Sequence, residues 1–135
     1  MSGSLATKLA RFDVAALAAM ALRLELNLTP KPGLVDLANN GSHSDMDHAL
    51  FLRSIAAITP WFRVFEKTGF EHALKPASEQ LRLLRPAGMA CEQAMFEATG
   101  GVNTHKGGIF SLGLICFAAG RLRGQNRLVC AESVC

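Results

Sequence analysis

The side chains of this 135-residue chain that could do chemistry fall in two polar stretches. The first is Thr29-Pro-Lys-Pro-Gly-Leu-Val-Asp36, continued by Asn39-Asn-Gly-Ser-His-Ser-Asp-Met-Asp-His48. It gathers Asp36, His43, Asp45, Asp47 and His48 within 13 residues. Carboxylates drawn from a loop and a helix start can hold Mg²⁺ through its waters, with phosphates completing the shell. Asp45 and His48 are three apart and share a helix face, whereas Asp47 points elsewhere unless the turn is irregular. The histidines lack the H-E-x-x-H spacing, so zinc is the weaker reading. A purely structural reading stands beside this one: Ser44 and Asp47 form a capping box, and Asp45 suits the positive end of a helix dipole. Lys31, held between Pro30 and Pro32, sits on a stiff turn that suits a fixed phosphate contact.

The second stretch is Gly100-Gly-Val-Asn-Thr-His-Lys-Gly-Gly108. It fails the P-loop pattern, because His105 precedes Lys106 where glycine belongs and Gly107 follows where Ser or Thr belongs. The underlying physics survives. Glycines let backbone N–H groups approach an anion, Lys106 adds charge, and the following helix offers its positive end. Asn103, Thr104 and His105 add directional donors, and a glycine-rich connector with a solvated lysine is the bland alternative. Glu25 lies one turn before Pro30 on a nearly all-apolar helix, so it is expected to be buried and either to pair with an arginine or to belong to the site.

Five helical stretches must position these loops. An almost wholly apolar one from about Ala6 to Leu28 reads as a central core helix, ended by Pro30 and Pro32. A second starts near Asp45 and runs to Pro60, with Trp61, Phe62 and Phe65 extending it toward Gly69. A third covers Glu71 to Leu84, a fourth has Pro86 in its first turn and runs to Ala98, and a fifth spans Gly108 to Leu122. The apolar pattern restarts at Leu128. The fold class is therefore all-α, a multi-helical bundle with a nearly all-apolar central helix.

Composition narrows the partners. Half of the residues are hydrophobic and 19% are charged, which excludes a disordered chain. The net charge of +3 is spread along the sequence without a Lys/Arg run, so nucleic acid is not expected; Arg121, Arg123 and Arg127 follow a helix end, where cations suit the dipole. The apolar run Val14 to Leu22 is too short to span a bilayer, and no membrane association is expected. Cys91, Cys116, Cys130 and Cys135 show no C-x-x-C pairing, and Cys91 and Cys116, each inside an apolar helical pattern, read as buried free thiols, which suits a cytoplasmic setting.

Taken together, Thr29-Pro-Lys-Pro-Gly-Leu-Val-Asp36, Gly41-Ser-His-Ser-Asp-Met-Asp47 and Gly101-Val-Asn-Thr-His-Lys-Gly107 strongly resemble the triphosphoribosyl-dephospho-CoA synthases. Arg85-Pro-Ala-Gly-Met-Ala-Cys-Glu92 and Phe110-Ser-Leu-Gly113 look like the same family, and the resemblance runs from about Ala19 to Cys135. It implies an all-helical enzyme that converts ATP and 3'-dephospho-CoA into 2'-(5''-triphosphoribosyl)-3'-dephospho-CoA, releasing adenine. That product is the prosthetic-group precursor of citrate lyase or malonate decarboxylase. On this reading Asp45 and Asp47 take magnesium or base roles, with Asp36 and Glu25 as further acidic candidates. Lys31, His43, His105, Lys106 and Gly107 would contact phosphate, and Asn103 and Thr104 would orient substrate.

Members of that family are considerably longer. Residues 1–135 are accordingly expected to be the N-terminal portion of a single helical synthase domain, with an uncovered face that drives self-association. Two other classes share the same residues: a Mg²⁺-dependent nucleotide or phosphoester hydrolase, and a non-catalytic helical module.

Overall fold

The computed structural model describes residues 13–28 and 48–134. Asp13 starts the first helix, α1 (Val14–Asn27), because its carboxylate accepts the Ala16 N–H at 3.1 Å. The same carboxylate takes the Arg63 guanidinium at 3.1 Å, and these two bonds hold its pKa below the usual value. Val14, Ala15, Ala18, Leu22 and Leu26 form one buried stripe. Leu17, Met20, Leu24 and Leu28, at the same helical spacing, are exposed on the other side. The expectation of a central α1 is thus corrected: it packs through one face, and the residues before Asp13 lie outside the described ones.

The centre is α2 (His48–Glu71), which touches α1 and the two long helices that follow. Leu50, Ser54, Ile55, Ile58, Phe62, Phe65 and Gly69 are its buried positions. The helix runs without interruption through Pro60 and includes the stretch expected to extend toward Gly69. The ring and Ala56, whose carbonyl loses its partner four residues on, both face solvent, where water donates to that carbonyl in place of the missing N–H. The expected start at Asp45 lies outside the described residues.

A turn follows α2, closed by the Gln80 side chain, whose amide donates to the carbonyls of His72 at 3.0 Å and Lys75 at 2.9 Å. After a 3₁₀ turn at Ala77–Glu79 comes α3 (Gln80–Thr99), a single helix where two were expected. Pro86 sits inside it rather than in a first turn, again with an exposed ring and with Arg82, four residues earlier, also exposed. Gly100 and Gly101 end α3 at φ of 66° and 93°, a backbone region in which other residues are strained.

The last long helix, α4 (Lys106–Gly124), lies closest to α2, and a four-residue helix, α5 (Ala131–Val134), follows. Two glycines set the α2–α4 distance. A Cβ on Gly69 would lie 2.1 Å from the Phe117 carbonyl oxygen, and one on Gly120 would lie 1.9 Å from that of Glu66. Arg123 at the end of α4 pairs with the half-buried Glu66 of α2. The described residues contain helices and no strand, which makes the fold all-α as expected. None of their helices is long and apolar enough to cross a membrane. Cys91 and Cys116 are free and fully buried, and burial pushes both thiols up to about 12.

Candidate functional site

The stretch between α3 and α4 is pinned from inside. The Thr99 hydroxyl lies 2.8 Å from the Met95 carbonyl and 2.7 Å from that of Val102, and accepts the Val102 N–H at 3.1 Å. The His105 N–H meets the Met95 sulfur at 3.2 Å. Ser54 of α2, fully buried, brings its Oγ to 2.6 Å from Thr104 Oγ1 and 2.7 Å from His105 Nδ1. Phe51 sets its ring edge-on to the imidazole at 5.1 Å.

Burial lowers the His105 pKa, with the charge of Glu25 acting in the opposite direction. The ring is therefore held toward its neutral form. Thr104 Oγ1, Ser54 Oγ and His105 Nδ1 thus form one hydrogen-bonded chain, in which each hydroxyl can donate or accept and the imidazole tautomer sets the direction. Asn103 Oδ1 accepts the Lys106 N–H at 3.1 Å and so satisfies the first backbone donor of α4, whose N-cap position is His105. Lys106 is the first residue of that helix; its exposed ammonium lies 3.9 Å from Glu92 on α3. Gly107 is open to solvent, whereas Gly108 faces Leu22 of α1.

These contacts bring one end of the bundle together: the end of α1, the start of α2, residues 100–105 and the positive end of α4. His48 Nε2 lies 3.4 Å from Asn27 Oδ1, so the residues flanking the first polar stretch meet at this same corner. Lys31, Asp36, His43, Asp45 and Asp47 lie outside the described residues. Glu25, expected to be buried, is exposed, because α1 turns only one side inward. The described residues contain no group of three His, Cys, Asp or Glu able to hold a metal.

A cleft of about 320 Å³ between α3 and α4 opens beside Lys106. Leu84, Met89, Ile109 and Phe110 are among its apolar walls, and Arg85, Glu92 and Lys106 are its charged lining.

Residues 11–134 match the protein family described as ATP:dephospho-CoA triphosphoribosyl transferase. The chain belongs to this family. It is 58% identical over 123 residues to a probable 2-(5''-triphosphoribosyl)-3'-dephosphocoenzyme-A synthase of Pectobacterium carotovorum, covering 91% of this chain and 41% of that protein. The synthase of Pectobacterium atrosepticum gives the same figures. A probable synthase of Vibrio cholerae is 51% identical over 133 residues, 98% of this chain and 42% of that one. The chain thus spans about two-fifths of the length of these relatives. No solved structure matches it.

Within the transferase family chain, the structure adds residues that sequence reasoning did not single out. Ser54 is the anchor of the Thr104–His105 pair; a serine among Leu50, Ile55 and Ile58 on the buried stripe of α2 was its one signal. Arg85 and Glu92 stood within a stretch resembling the family, but only the pairing of α3 with α4 places them beside Lys106.

Proposed function

We propose that this chain forms the helical part of a transferase that makes 2'-(5''-triphosphoribosyl)-3'-dephospho-CoA from ATP and 3'-dephospho-CoA, releasing adenine. The product would serve citrate lyase or malonate decarboxylase. The observation that carries this reading is the family match across residues 11–134. The convergence of α4's positive end, Lys106 and the ends of the first polar stretch at one corner supports it.

In the reaction the ribose 2'-hydroxyl of dephospho-CoA attacks C1' of the ATP ribose. A C–O bond forms, the bond from C1' to adenine breaks, and adenine leaves with the electron pair while a base takes the hydroxyl proton. Charge at C1' develops as in glycoside cleavage, so a nearby carboxylate stabilises it. Asp45, Asp47, Asp36 and Glu25 are the carboxylates proposed for this corner. Mg²⁺ held by Asp45 and Asp47 would neutralise the triphosphate, which must survive the reaction intact. Lys31, His43, Lys106 and Gly107 take phosphate contacts. Thr104 and His105, fixed on Ser54, orient the loop toward substrate, and the free amide NH₂ of Asn103 is a further donor.

The test is an incubation with ATP, Mg²⁺ and dephospho-CoA, analysed for adenine against phosphate. Adenine release that is abolished by Asp45→Asn or Asp47→Asn supports the reading. Release of phosphate or pyrophosphate instead would establish a hydrolase, and full activity in both variants would remove the two aspartates from the site.

A further inference from the structure

Gly88 stands in the middle of α3, where glycine weakens a helix relative to alanine. Its backbone φ is not positive, and a Cβ built there meets nothing within 4 Å. Neither backbone geometry nor helix packing asks for glycine here, in contrast to Gly120, whose Cβ would strike the Glu66 carbonyl at 1.9 Å. What Gly88 faces is the α3–α4 cleft. A side chain at this position would enter that space.

The cleft's volume of about 320 Å³ lies at the small end of ligand pockets, the size for a flat base and its sugar. Met89 and Phe110 line it while remaining 67% and 69% exposed, which leaves a thioether and an aromatic face for stacking. Its charges are two cations and one carboxylate. Lys106 is shared with Glu92 at 3.9 Å, whereas Arg85 has no ion-pair or hydrogen-bond partner among the described residues. Arginine presents a planar fork of donors that matches phosphate oxygens.

We propose that this cleft seats the adenine and ribose of a nucleotide substrate, that Arg85 and Lys106 take its phosphates, and that Gly88 keeps the cleft deep enough for the base. The inference rests on the transferase reading and deepens it. Both substrates of that reaction, ATP and dephospho-CoA, are adenine nucleotides with phosphates at the 5' position, so the shared chemistry is an adenine nucleoside polyphosphate.

Calorimetric titration of the 135-residue chain with ATP, dephospho-CoA, adenosine and inorganic tripolyphosphate tests it. Gly88→Leu is expected to weaken adenosine and the nucleotide by roughly tenfold or more while leaving tripolyphosphate unchanged. Its melting temperature should stay level or rise, since leucine is the better helix former and the added atoms meet open space. Arg85→Gln should do the reverse, weakening tripolyphosphate and nucleotide but not adenosine. Phe110→Ala, a truncation at an exposed position, should lose affinity for adenosine and reads the same wall if the leucine variant folds poorly. The nucleotide that loses most on Gly88→Leu identifies which substrate the cleft takes. Wild type that binds a nucleotide which Gly88→Leu and Phe110→Ala bind equally well overturns the cleft and leaves the transferase reading standing. Wild type that binds no adenine nucleotide and releases no adenine overturns both.

Discussion

Ser54 determines what His105 can do. The imidazole looks from the sequence like an exposed donor beside Lys106, but its Nδ1 is engaged by a serine 51 residues earlier, in the buried face of α2. Nothing local to residues 100–108 announces that partner, so the sequence shows the chemistry-bearing loop and hides how it is held. Ser54→Ala would leave Nδ1 without its hydrogen bond in a buried setting and is expected to cost about 1–3 kcal/mol in denaturant unfolding. The same pair predicts a pH effect. Burial places the folded-state pKa of His105 below its ordinary 6.5, so the unfolded chain binds this proton more readily than the folded one. The stabilisation is complete above that ordinary value and is lost as pH falls through it toward the folded pKa. Melting temperatures between about pH 7.5 and about pH 5.5 should therefore fall more for wild type than for His105→Asn, whose amide keeps a polar partner for Ser54 but does not titrate. Parallel slopes for the two proteins would refute the assignment to His105.

At the scale of elements, the positions of the helices were legible where apolar spacing and polar loops agreed, as in α4, expected from Gly108 to Leu122 and found at Lys106–Gly124. Pro86 misled. It reads as a helix start, yet it and Pro60 each lie on the solvent side of a long helix whose buried stripe continues past the ring, and the packing of that stripe outweighs one missing hydrogen bond. The glycines carry information the sequence could not sort. Gly120 is required by the close approach of α4 to α2, and Gly88 is required by no packing contact at all. Two matched substitutions separate these cases. Gly120→Ala should destabilise by at least roughly 1–3 kcal/mol, since the obstructing atoms are backbone and cannot rotate away. Gly88→Ala should stabilise by about 0.5–1 kcal/mol as a plain helix-propensity gain. Urea unfolding of both variants checks the pair, and equal effects would contradict the inter-helix geometry.

At the scale of the whole molecule, α1 poses the remaining question. Its sequence is apolar on nearly every side, the pattern of a helix packed on both faces, and one face does pack on α2 and α4. The opposite face presents Leu17, Met20, Leu24 and Leu28, of which Leu24 and Leu28 are 59% and 62% exposed. The relatives extend over more than twice the length of this chain, so the family's helical enzyme has more protein with which to cover such a face. For the 135-residue chain alone, the expected outcome is association through α1. Sedimentation velocity across a concentration series should show a species heavier than the monomer, and Leu24→Lys, which places a charge in the middle of the stripe, should shift it to monomer without lowering the melting temperature. Because Leu24 points away from the core that Leu22 and Leu26 enter, a loss of stability in that variant would mean that α1 packs through a different face from the one described.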